Sequence, residues 1–238
     1  MKLKKLLLAT LTAGALLGGS LQSNAQLDFT VDPGQNWLGY INVFDQADVY
    51  QFGFGEDTPS TASANWAPGP AQPLTMSPNT RLYDENVADP FWVDQITFEA
   101  NLVSEFNYYQ ETFDADPLAY QGQTATFGFE TVANSLPAGY EAVGFIKVLD
   151  GFQTWNTYQI TTLDLVAGQG AILSLLVDDS GLSAGGTPFV QAGFWVKGAY
   201  VSSSDPVALT GVEIIPEPTT FALAGLGAAA LLVFRRRS

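Results

Sequence analysis

The side chains that this sequence leaves available for chemistry are few in kind. It holds no Cys and no His, which removes Ser-His-Asp and Cys-His nucleophilic sites and any zinc site of the usual His/Cys type. Carboxylate, Tyr, Lys and oxygen-ligated metal chemistry remain. A glycoside hydrolase needs two carboxyls about 5–5.5 Å apart for retention or ~6.5–9.5 Å for inversion. The glutamates near predicted strands are Glu99, Glu105, Glu111, Glu130 and Glu141, and Glu99 and Glu130 both fall on polar strand faces. Among 24 acidic residues such pairs arise in plenty, so none is singled out as catalytic. The chain reads as non-enzymatic, with a carboxylate-dependent glycan hydrolase or lyase as an alternative.

Calcium is the metal such a composition would take, through oxygens of clustered Asp, Asn and backbone carbonyls. The clusters are Asp84-Glu85, Asp114-Ala115-Asp116 and Asp178-Asp179. None has the spacing of a twelve-residue calcium loop, and Asp-rich loops commonly cap turns. No ligand set is assigned and no cofactor is expected.

Sugar recognition stacks aromatic rings on the apolar faces of pyranoses. Most of the Trp, Tyr and Phe side chains are expected in the core. Trp155 and Trp195 are different. In a strand over 152–163, Tyr158 and Ile160 mark one face, and Trp155 falls on the other with Gln153, Thr157 and Gln159. Trp195 sits with Gln191 and Lys197. A large ring on a polar face is an exposed apolar patch, the mark of a binding surface. Both tryptophans are therefore glycan-binding candidates.

The elements that must position these residues read as all-β. Residues 123–132 set Ala125, Phe127 and Phe129 against Thr124, Thr126 and Glu130; residues 95–102 set Ile96, Phe98, Ala100 and Leu102 against Gln95, Thr97 and Glu99. Residues 190–200 alternate Val190, Ala192, Phe194 and Val196 with Gln191, Gly193, Trp195 and Lys197. Period two with one polar face is the pattern of a half-buried strand. Further strands are predicted over 37–44, 49–54, 140–149, 152–163, 170–177 and 207–214, and no helical period appears between the two ends. About nine strands punctuated by Gly, Pro, Asn and Asp predict a single antiparallel β-sandwich, with a jelly roll as its version. Residues 58–80, with five prolines, are expected to form a long surface loop.

Both ends look like processing segments. Lys2, Lys4 and Lys5 precede an apolar run to Gly19, and Ser23-Asn24-Ala25 ends it, the order of a secretory signal peptide. Cleavage is expected between Ala25 and Gln26. At the other end, residues 219–234 carry no charge and are followed by Arg235, Arg236 and Arg237. As a helix they would span roughly 24 Å, short for a bilayer but workable with snorkelling arginines. Arginines after the segment would stay cytoplasmic, leaving the preceding domain outside. The organisation is then a signal peptide (1–25), an extracytoplasmic sandwich (26–215) and a sorting tail (216–238). Without its ends the domain keeps three basic residues, Arg81, Lys147 and Lys197, and a net charge of about −20. That charge disfavours nucleic acid as a partner.

Pro216-Glu217-Pro218, the short apolar stretch and the terminal arginines together resemble the PEP-CTERM sorting signal. The resemblance implies an exosortase-type membrane transpeptidase as partner, one that removes the tail and leaves the protein attached to the envelope. It also makes Pro216, Glu217, Pro218, Arg235, Arg236 and Arg237 recognition residues. Asn36-Trp37-Leu38-Gly39-Tyr40 with Val43-Phe44 resembles the mature region of other PEP-CTERM surface proteins. Gly122-Gln123-Thr124 entering an alternating strand, with 189–198 as a late aromatic strand, resembles jelly-roll carbohydrate-binding modules. Three readings follow: a structural or matrix component of the cell surface, a module that binds extracellular polysaccharide, or the glycan-active enzyme above.

Overall fold

The computed structural model describes residues 26–56, 63–68, 72–113, 116 and 119–216. Two sheets face each other. The first is built from β1 (Gln26–Thr30), β4 (Ala64–Trp66), β5 (Leu74–Met76), β7 (Thr124–Asn134), β10 (Gln169–Leu176) and β12 (Val212–Pro216). The second runs in the order β3 (Tyr50–Glu56), β2 (Leu38–Phe44), β6 (Val103–Phe113), β11 (Thr187–Ala199), β8 (Glu141–Gly151) and β9 (Thr157–Asp164). Every pairing is antiparallel except β1 with β7, which is parallel. The predicted all-β sandwich is therefore the observed architecture.

The core lies between the sheets. Inward-facing Val190, Ala192, Phe194 and Val196 of β11 meet Ala125, Phe127 and Phe129 of β7. The Phe194 ring lies 5.0 Å from Phe127 and 5.1 Å from Phe129, centroid to centroid. Truncating one such ring to Ala costs roughly 3–5 kcal/mol, so the alternation that the sequence displays is what fixes which face of β11 is left for function.

Several elements differ from the sequence-based expectation. Residues 63–80 are not simply loop: β4 and β5 extend the first sheet, with Leu74 and Met76 fully buried and Met76 paired to Val212. A short helix, α1 (Arg81–Asn86), follows, and buried Asn79 accepts the Leu82 N–H. Residues 95–102 form a tight connection instead of a strand. The Asp94 carboxylate accepts the N–H groups of Ile96 (2.7 Å) and Thr97 (2.8 Å), and Phe98 N–H returns to Asp94 O. Local side-chain bonding of this kind outcompetes a ladder, and it leaves Ile96 87% exposed. Strands β1 and β6 had no counterpart in the sequence-based assignment.

The signal peptide with Ala25, and the tail with Glu217, Pro218 and Arg235 to Arg237, lie outside the described residues. Among the described residues no helix is long and apolar enough to cross a membrane.

Candidate functional site

The outer face of the second sheet carries an unusual load of polar and aromatic groups. Its central strands are in register, so residues stand in rows. Glu111, Gln191 and Lys147 form one row across β6, β11 and β8; Tyr109, Gly193 and Phe145 form the next; Asn107, Trp195 and Val143 the one after. Rows two residues apart are separated by about 6.8 Å.

A cleft of about 690 Å³ opens on this face, lined by Tyr40, Tyr109, Glu111, Lys147, Gln191 and Trp155 among others. Gln191 on its floor is polar yet nearly inaccessible, and so is Asn107 further along the same sheet face. Their amides are committed to carboxylates. Asn107 and Asn42 both donate to Glu105 Oε1, at 3.0 and 2.9 Å, and Gln191 donates to Glu111 Oε2 at 3.0 Å. Such a satisfied network holds its members rigidly in place. Burial pushes the Tyr109 phenol up to about 12, with the Glu111 charge adding to the effect.

Lys147 stands apart. Of the three basic residues in the described domain, Arg81 is ion-paired with buried Glu56 and with Glu85, and Lys197 with Asp48 at 2.5 Å. Lys147 has no ion pair and no hydrogen bond among the described residues. Its amine instead rests over the rings of Phe145 (4.8 Å to the centroid) and Tyr109 (5.6 Å). Those rings flank Gly193, where a Cβ would come within 2.6 Å of the Tyr109 Cα. Glycine at this position lets β6 approach closely, since the same Cβ would lie 2.3 Å from the Tyr108 carbonyl oxygen. Burial lowers the Lys147 ammonium to about 8, although Glu105 and then Glu111 favour its charge.

Trp155 sits at the end of the cleft, half exposed, and its ring packs against Phe189 at 4.9 Å. It is not on a strand, as its predicted alternation required. It belongs to the connection between β8 and β9, where both Phe152 and Trp155 adopt positive φ (62° and 57°). For bulky residues that conformation costs on the order of 1–2 kcal/mol each, so the surroundings must impose it. Buried Asp150 does so. Its backbone O accepts Trp155 N–H (2.9 Å), its N–H donates to Asn156 O (3.0 Å), and its Oδ2 accepts Thr154 Oγ1 (2.9 Å) and Ser183 Oγ (2.5 Å). The Ser183 bond, then that of Thr154, holds the Asp150 carboxyl below its ordinary range. Strain imposed in this way is characteristic of positions whose side chain must be presented.

Trp195 shares the face but is half buried, stacked on Phe145 at 5.2 Å, and its enclosed indole N–H finds no acceptor among the described residues. The remaining expected positions fall elsewhere. Glu99 lines a separate cavity beside Tyr200, and Glu130 lies on β7 of the other sheet, so the structure does not bring these two acids together. Glu141 opens β8. Among the described lining residues the cleft holds a single carboxylate, Glu111. Asp84 accepts the Ser203 N–H, Glu85 pairs with Arg81 and Asp178 caps the turn at Ser180. Asp114 lies outside the described residues, and among those described no three acidic groups gather as metal ligands. Gln26 opens β1 and donates to Asp28 and Thr126. Pro216 closes β12, paired to Phe129 of β7.

The chain continues from that strand into its tail. Residues 215–237 match the family described as the PEP-CTERM protein-sorting motif. The chain is thus marked as an exported, cell-envelope-sorted protein, and the motif implies recognition by an exosortase. No curated protein matches it. Among solved structures the chain is similar to one titled "CBM4 structure and function", at 14% identity and a TM-score of 0.27, over 68% of this chain and 84% of that one.

Proposed function

We propose that this PEP-CTERM protein is a non-enzymatic component of the cell surface or its matrix whose domain holds an extended polysaccharide along the outer face of the second sheet. The observation that carries the reading is Trp155, strained into a left-handed turn and half exposed at the mouth of a cleft with a polar floor. Solvent-facing sheet surfaces seldom spend a fixed aromatic ring and several buried amides without a ligand. Trp155 packs on Phe189, and six residues along β11 stands Trp195, a separation of about 20 Å. That length suits a polymer better than a monosaccharide. The lone Glu111, already bound by Gln191, supports binding in preference to hydrolysis.

In this reading residues 1–25 leave on export, residues 26–215 form the working domain, and residues 216–238 are a membrane-held tail removed by the exosortase, with the arginines cytoplasmic. The test is a glycan array probed with the full chain purified in detergent, with and without calcium. Retention that disappears in Trp155→Ala supports the proposal. No retention of any polysaccharide would overturn it and leave the matrix component without a glycan site.

A further inference from the structure

We propose that Lys147 is the specificity donor for a carboxylate carried on the bound glycan, so that the ligand is a mainly neutral chain with sparse acidic substituents such as a uronic acid or a pyruvate ketal. This rests on the glycan-binding reading above and adds the ligand's class.

The inference begins from what Lys147 lacks. In a domain with a net charge of about −20, Arg81 and Lys197 both have carboxylate partners, and among the described residues Lys147 has none. The two acids whose charge reaches it are held by other donors, Glu105 by Asn42 and Asn107, Glu111 by Gln191. Amides occupy the carboxylates and the ammonium is left over the Tyr109 and Phe145 rings, facing the cleft. An enclosed cation with its donors unspent is costly unless something arrives to accept from them. An incoming carboxylate would do so through a charge-assisted hydrogen bond, which neutral hydroxyls match only in part.

The overall charge limits the acid density. A polyuronate would bring many carboxylates toward a strongly acidic surface and be repelled. A single carboxylate beside Lys147, on a chain whose neutral sugars stack at Trp155, meets one local cation and little else of that sign.

The experiment compares acidic polysaccharides of low charge density, glucuronoxylan and xanthan, with the same polymers after chemical reduction of their carboxyls to hydroxymethyls. Affinity electrophoresis with the full chain in detergent gives the retention of each. The native polymer should bind about ten- to a hundred-fold more tightly than its reduced form, the value of one charge-assisted bond. Lys147→Met should erase that difference while leaving residual binding to both forms, and Lys147→Arg should restore part of it. Thermal melts of each variant confirm that it is folded. Equal binding of native and reduced polymers, or an unchanged ratio in Lys147→Met, overturns the inference and spares the glycan reading. Absence of binding to all four polymers and across the wider array overturns both.

Discussion

Pro216 and Thr30 are paired to adjacent residues of one strand: Pro216 to Phe129 and Thr30 to Gly128. Because β10 occupies the opposite edge of β7 over the same residues, the first and last strands of the domain share a single edge and meet head to head. β12 cannot continue, since β1 already fills the edge ahead of it. Proline, without an N–H to donate, stands where the pairing must stop. Ile214, two residues earlier, is fully buried. The matched sorting motif therefore begins directly at the wall of the folded domain, and the exosortase that it implies would meet the chain close against that wall.

Replacing Pro216-Glu217-Pro218 by three alanines should leave export intact and block removal of the tail. Pro216 is exposed, so the domain itself should melt within about 0.5 kcal/mol of wild type, as surface substitutions do. A fractionation blot should show uncleaved protein accumulating in the membrane. Processing at the wild-type rate would mean that a plain tail anchor is the better description.

The two tryptophans, both on the proposed glycan face, should differ in what their loss costs the fold. Trp155→Ala should reduce polysaccharide binding at least about ten-fold, as loss of an interface anchor does, with a small change in melting temperature. The turn loses its contact with Phe189 but is also relieved of a bulky residue at positive φ. Trp195→Ala removes a half-buried ring stacked on Phe145 and should destabilise by about 2 kcal/mol. Melts and binding isotherms of the pair decide it; identical losses of both properties in both variants would contradict that difference.

The sandwich was legible in the sequence wherever one strand face was apolar and the other was not. The alternation over 190–200 placed Phe194 inward and Trp195 outward, as observed. β6 failed that test for a physical reason. Its inner face mixes Ser104 and Gln110 with Phe106 and Tyr108, while its outer face presents Glu105, Asn107, Tyr109 and Glu111. The outer face is polar where the strand floors the cleft, and on the inner face Gln110 donates to Thr30 O (2.5 Å), so neither face keeps the apolar alternation that reveals a strand. Residues 95–102 erred in the other direction, where Asp94 turned an alternating stretch into a tight loop. Lys147 was visible as one of three cations, but its lack of a partner depends on where Asn42, Asn107 and Gln191 point. No one-dimensional signal carries that.

Asp150 should link acid stability to the turn that presents Trp155. Its folded carboxyl is held below the ordinary range by Ser183 and Thr154. The charged form thus contributes stability above the unfolded value near ~3.9, and that contribution is lost as pH falls through the lower folded value. Asp150→Asn should be less stable than wild type at pH 6, with the gap closing in strong acid. Urea unfolding from pH 6 to pH 2 reads it. A gap that persists unchanged into acid would assign the loss to packing.

Lys147 should act on stability in the opposite sense, and this separates a binding residue from a structural one. Burial lowers its folded value to about 8 from an ordinary 10.5. Between those values the unfolded chain holds the proton more tightly, so unfolding becomes less favourable as pH rises. Below about pH 8 both states are charged and the folded state bears the whole cost of enclosing the ammonium, about 3 kcal/mol at most. Other ionisable side chains stand beside it in space: Glu105, Glu111 and Tyr109 on β6, Tyr40 on β2 and Tyr50 on β3, while Gln191, Gly193 and Ile160 carry no charge. Comparison with Lys147→Met cancels their shared contribution. The variant should unfold at higher urea than wild type at pH 7, and the advantage should shrink to nothing by about pH 10.5. Affinity for the acidic glycan should meanwhile fall in wild type as pH rises through about 8, while stacking on Trp155 is indifferent to pH. A Met variant no more stable than wild type at pH 7 would mean that the amine is already well solvated, and the case for a ligand that completes it would lose its footing.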